Sequence, residues 1–198
     1  VLSTNAVGSL REDLPPQSLV VPDQIFDRTR HRRSTFFDER MVVHMGFAEP
    51  YCPHMTDHLV EAADDVLDEG AHDGGTYVCI EGPQFSTKAE SEFYRAQGWD
   101  MVGMTTVPEA KLAREAELCY ATLAGVTDYD VWKDDSEVSL EEVLENAEVN
   151  EDNINEVVRE AIETMPDDRD CDCEHALDGT INTASEAIPD EVRDGVDL

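Results

Sequence analysis

The sequence predicts an α/β domain built on a largely buried sheet, and three observations carry that expectation. Short apolar runs of strand type alternate with stretches whose apolar residues recur at helical spacing. Two of those runs, Thr76-Tyr77-Val78-Cys79-Ile80 and Cys119 to Val126, are apolar on successive residues, the pattern of strands covered on both faces. Glycine and proline fall between the runs, with Gly70 and Gly74-Gly75 around one strand and Pro108 where a helix begins.

Taken in order, Val1 to Leu10 reads as a strand entering a small-residue turn, and Ser18 to Phe26 is strand-like. Asp27 to Arg40 is polar and holds Arg28, Arg30, Arg32, Arg33 and Arg40. In so acidic a chain this cluster has three readings: an anion site, a contact with an acidic neighbouring subunit, or a loop neutralised by nearby carboxylates. Met55, Leu59, Ala62, Ala63, Val66 and Leu67 predict a helix over Pro53 to Asp68, stopped by Gly70. Lys88 to Gln97 reads as a helix and Trp99 to Met104 as the next strand. The helix opened by Pro108 and Glu109 runs through Leu112, Ala113 and Ala116. Beyond Lys133 the character changes. Ser139-Leu140-Glu141-Glu142 is a capping box heading a helix with Leu140, Val143, Leu144 and Ala147 on one face. A second helix carries Ile154, Val157, Val158, Ala161 and Ile162, and Asp167 to Leu198 is acidic and turn-rich.

The 198 residues suit one domain, and 40% apolar residues suffice for a core. With 46 Asp and Glu against 14 Lys and Arg, the formal charge is -32, which argues against nucleic acid or an anionic membrane as partner. Carboxylates spread along the whole chain self-repel unless salt screens them, so a high-salt cytoplasm is expected. No apolar run approaches the ~20 residues of a membrane span. Five cysteines give no disulfide framework; Cys171-Asp172-Cys173 offers a metal or redox pair with only His175 near it. His54 and His58, four residues apart, lack an evident third metal ligand.

Three segments follow strand ends, where open α/β sheets place ligands. Glu81-Gly82-Pro83-Gln84-Phe85-Ser86-Thr87 presents a ring suited to stacking on a flat ligand. Met104-Thr105-Thr106-Val107-Pro108-Glu109 puts hydroxyls and backbone N–H groups at a helix N-terminus, suited to an oxyanion. Thr127-Asp128-Tyr129-Asp130 places two carboxylates just past a buried strand, where burial would raise the pKa of one.

The stretches EGPQFSTKAES, GMTTVPEAKLAREAELCYA and VTDYDVW, with GSLRED, FDRT and AEPYCP, resemble the 5'-methylthioadenosine phosphorylases of the purine nucleoside phosphorylase family over Val1 to about Val158. The resemblance implies a three-layer fold with a central mixed sheet flanked by helices. Residues 1–165 would be the C-terminal two-thirds of a nucleoside phosphorylase domain, and 166–198 an acidic extension packed on it or trailing from it. The implied reaction is phosphorolysis of methylthioadenosine to adenine and 5-methylthioribose 1-phosphate. Asp128 would serve purine N7 and Asp130 the 6-amino group. Phe85 would stack on the base, Met104 would meet the ribose, and Asn5, Ala6 and Thr105 would hold phosphate, with Asn5 standing where the family usually has Thr. Leu140, Val143 and Leu144 would receive the 5'-methylthio group, joined by His44 from a neighbouring subunit of a homotrimer or homohexamer. No cofactor or metal is implied beyond phosphate as co-substrate. Family members carry further chain before the position of Val1, holding a threonine and an Arg-His pair of the phosphate site, so an N-terminally truncated domain is expected. Two alternatives accompany this reading: an inactive remnant, and a phosphorylase of 6-oxopurine nucleosides, against which the two aspartates argue.

Overall fold

In the computed structural model, which describes residues 1–37, 41–133 and 139–193, seven strands form one mixed sheet. They are β1 (Leu2–Ser9), β2 (Leu19–Val21), β3 (Gln24–Asp27), β4 (His72–Asp73), β5 (Thr76–Cys79), β6 (Met101–Gly103) and β7 (Ala121–Asp128), in the order β3-β5-β6-β1-β7-β2-β4. The helices are α1 (Pro53–Val66), α2 (Lys88–Ala96), α3 (Thr106–Glu115), α4 (Leu140–Glu163) and α5 (Asp190–Arg193).

The sheet centres on β1 and β7, which run parallel from Leu2 beside Ala121 to Val7 beside Val126. All eight residues of β7 are buried, because helices or loops cover both of its faces. Ala121 and Leu123 join Leu59, Ala63, Val157 and Ala161 of α1 and α4, whereas Ala124 and Val126 pack with Val7, Tyr77, Met101 and Val107. Truncating Leu123, 1% exposed, to Ala would cost about 2–5 kcal/mol. Asn146 and Asn150 on α4 donate to the carbonyls of Thr127 (2.7 Å) and Val126 (3.0 Å), locking the helix to the end of β7. Gly125 permits that approach, since a Cβ there would lie 2.8 Å from Asn150 Nδ2.

One sequence expectation is corrected, and the start of α3 is as expected. The two helices read after Ser139 are one helix of 24 residues, because the Glu-Val-Asn-Glu-Asp-Asn stretch between them holds no glycine or proline to stop it. Val107 has non-helical φ/ψ, so the regular part of α3 starts at Pro108. The Arg-rich stretch is mostly committed to its own chain. Arg32 donates to the carbonyls of Met104 (2.5 Å), Glu81 (2.9 Å), Ile80 (3.3 Å) and Val107, and Arg28 bonds the Tyr94 hydroxyl and Glu90. Arg32 thus fastens the loops after β5 and β6 to each other instead of offering an anion its charge; Arg40 lies outside the described residues.

The segment after α4 packs on the same body. Cys173 enters the core between α1 and α4, Val43 bridges Ile181, and Met41 packs with Ile188 and Val192. His175 faces Glu174 and Asp178, while Cys171 and Cys173 meet Cys52 and Cys119, contacts that only the long-range fold creates. His58 is a core histidine whose Nε2 lies 2.8 Å from the Ala161 carbonyl, so it does not pair with His54 as a ligand. No helix among the described residues is long and apolar enough to cross a membrane.

Candidate active site

The three segments singled out in the sequence converge at the ends of β5, β6 and β7. Asn5, Ala6, Phe85, Met104, Thr105, Asp128, Asp130 and Val143 line one cavity of about 290 Å³. The other three expected site residues lie elsewhere. Leu140 and Leu144 are solvent-exposed on α4, and exposed His44 borders a separate hollow with Phe37, Met41 and Lys111.

The acid pair is fixed by its own loop. Thr127 Oγ1 donates to Asp128 Oδ2 (2.8 Å), and the Asp130 N–H donates to Asp128 Oδ1 (2.7 Å). Asp128 is therefore oriented as an acceptor by two donors. Asp130 adopts φ +50°, a conformation Asp tolerates better than most residues. The turn is held from beyond by Trp132, whose Nε1 donates to the Ser9 carbonyl (2.8 Å) under the Arg95 guanidinium, 3.5 Å from the ring centre. Gly8 of β1 faces the pair, and a Cβ there would stand 2.8 Å from Asp128 Oδ1.

Burial raises the Asp130 carboxyl above its ordinary value, and the charge of Asp128 adds to this, while the hydroxyls of Ser91 and Ser86 oppose it. The two hydroxyls lie near the carboxyl without reaching hydrogen-bond geometry, so Asp130 Oδ2, Ser86 Oγ and Ser91 Oγ are buried without a partner among the described residues. Ser86 and Asp130 line the cavity, where an orphaned polar atom is costly and is satisfied when a ligand brings a complementary group. The raised acid is Asp130, beside the residue that the resemblance assigns to N7.

Elsewhere on the cavity wall Thr105 Oγ1 donates to Asn5 Oδ1 (2.8 Å), and Asn5 Nδ2 is buried without a partner among the described residues. Tyr77 supports Thr105, with its hydroxyl 3.3 Å from Oγ1 and 3.4 Å from the backbone N, and burial pushes the phenol far up, so it stays neutral. Phe85, 44% exposed, also lines the cavity. Sequence reasoning gave no role to Ser86, which lines the cavity, and missed Tyr77, Ser91, Asn146 and Asn150 behind its wall. The asparagines did leave a signal, two amides four residues apart on the apolar stripe of α4.

A family model described as the phosphorylase superfamily matches residues 1–163. The S-methyl-5'-thioadenosine phosphorylase of Koribacter versatilis is 49% identical over 199 aligned residues, covering 100% of this chain and 68% of the relative. This chain belongs to the methylthioadenosine phosphorylases of that superfamily. It spans about two-thirds of the length of the curated relatives it matches first. Among solved structures, a methylthioadenosine phosphorylase from an antarctic soil metagenomic library superposes with a TM-score of 0.89 at 44% identity, over 97% of this chain and 68% of the other. The Schistosoma mansoni enzyme in complex with adenine gives 0.82 at 33%, over 91% and 72%. The mixed sheet flanked by helices is the fold expected of this family.

Proposed function

We propose that this chain catalyses phosphorolysis of 5'-methylthioadenosine, a pentosyl transfer to inorganic phosphate that needs no cofactor. The observation that carries the reading is the convergence of an acid pair, an aromatic cover and an unpartnered amide donor on one cavity in a member of this family. Phosphate forms the bond to C1' as the bond to the purine nitrogen breaks, and negative charge builds on the departing adenine. N7 takes up a proton from solvent as the bond breaks, so adenine leaves neutral, and the Asp128 carboxylate, aimed by its two donors, accepts the hydrogen bond of that N7–H. Asp130 takes the 6-amino group on the oxygen that is otherwise without a partner. Phe85 stacks on the base, and Met104 meets the ribose. Asn5, Ala6 and Thr105 contact phosphate, the Asn5 amide supplying a donor that has no partner among the described residues.

Val143 begins the apolar 5' end, which Leu140, Leu144 and a neighbouring subunit's His44 complete in a homotrimer or homohexamer. The surface carboxylates adapt the enzyme to a salty cytoplasm. Incubation with methylthioadenosine in molar salt, with and without phosphate, tests the reading. Adenine release that requires phosphate and yields a sugar 1-phosphate is expected, and phosphate-independent release or none contradicts it.

A further inference from the structure

Away from this cavity, at the opposite end of β7, the Sγ atoms of Cys52, Cys119, Cys171 and Cys173 all lie within 4.8 Å of one another. They come from three separate parts of the chain: the residue capping α1, the residue two before β7, and the Cys-Asp-Cys segment after α4. Cys52 and Cys173 are buried, and the other two are half-buried against the same core. Two disulfides would require only two close pairs, with sulfurs at about 2.05 Å. Here all four sulfurs are mutual neighbours, and the Cys119–Cys171 separation is 3.5 Å. A tetrahedral centre with metal–sulfur bonds of about 2.3 Å has sulfurs roughly 3.8 Å apart.

We propose that these four cysteines form a closed tetrathiolate site for one soft divalent cation, with zinc as the reference ion. Binding replaces four S–H protons by four metal–sulfur bonds and changes no oxidation state. Four protein ligands leave no open position, so the site is structural and takes no part in phosphorolysis. Cys52 at the N-terminus of α1 places one thiolate at the positive end of a 14-residue helix. The ion ties the segment after α4 to the starts of α1 and β7, the contact by which Cys171 and Cys173 join the core.

The test uses the 198-residue chain produced with zinc and purified anaerobically without chelator or added thiol. Elemental analysis is expected to give one zinc per chain, released in step with mercurial titration of the thiols. The cobalt-loaded chain is expected to show thiolate-to-cobalt charge transfer and the intense ligand-field bands of a tetrahedral site. Bound metal falls from one per chain to none in a Cys171→Ser/Cys173→Ser variant and is unchanged in Cys79→Ser, whose thiol lies outside the cluster. Metal-free protein, a mass lower by four hydrogens from two disulfides, or a cobalt spectrum without sulfur charge transfer each overturns the proposal, and the last needs no variant to fold.

Discussion

At the end of the cavity proposed to take the base, Asp128 and Asp130 are 6% and 3% exposed, and Asp128 is oriented by two donors of its own turn. At the other end Val143 reaches the cavity while its neighbours Leu140 and Leu144 are 64% and 60% exposed. The difference separates two kinds of recognition. Reading the purine requires fixed acceptors and donors, which short-range bonds within one turn can hold. Receiving an apolar 5' group requires enclosure, and one helix face encloses nothing by itself.

The largest effect is expected at the base end. Asp128→Asn keeps the shape but removes the charge proposed to accept the N7–H, and kcat should fall about 10²–10³-fold in a steady-state assay of adenine release. Gly8→Ala drives a methyl to within 2.8 Å of Asp128 Oδ1, displacing the acid without touching its chemistry. A loss of about 10²-fold in kcat with retained circular dichroism is expected, and an unchanged kcat would show that Asp128 need not be held where it is.

Asp130→Asn separates function from stability. Its folded pKa is raised, so between the ordinary value of 3.8 and that raised value the native state binds more protons than the unfolded chain. Stability gained from this group therefore appears as pH falls through the raised value and is absent above it. The variant should lose that acid-side gain, be more stable at neutral pH by about 1–3 kcal/mol, and release adenine more slowly. Denaturant titrations of both proteins across pH provide the check.

The smallest effect belongs to the open end. Val143→Ser should leave kcat for adenosine near its starting value and reduce the preference for methylthioadenosine over adenosine by about 10-fold in kcat/KM. An equal loss for both substrates would place Val143 at the base instead.

This contrast also explains what could be read in advance. The helices and strands were legible because apolar periodicity and proline punctuation are local, and the three site loops were legible because they follow strand ends. The single length of α4 was not, since the largely polar stretch from Glu148 to Asn153 interrupts the apolar periodicity although it holds no glycine or proline. Tyr77 looked like any aromatic in a buried run, and only the register of β5 beside β6 sets its hydroxyl under Thr105. Arg32 was visible as charge, but its carbonyl acceptors lie 48 to 75 residues away in sequence. Cys52 and Cys119 likewise reach the Cys-Asp-Cys segment only through the packing of α1 against α4.

The central claim is that this chain alone builds a site selective for a 6-aminopurine. Equilibrium binding of adenine and hypoxanthine to the 198-residue chain in molar salt tests it most directly. Adenine should bind at least about 10-fold more tightly, with the preference abolished in Asp130→Asn. Equal affinity, or tighter binding of hypoxanthine, would contradict the account.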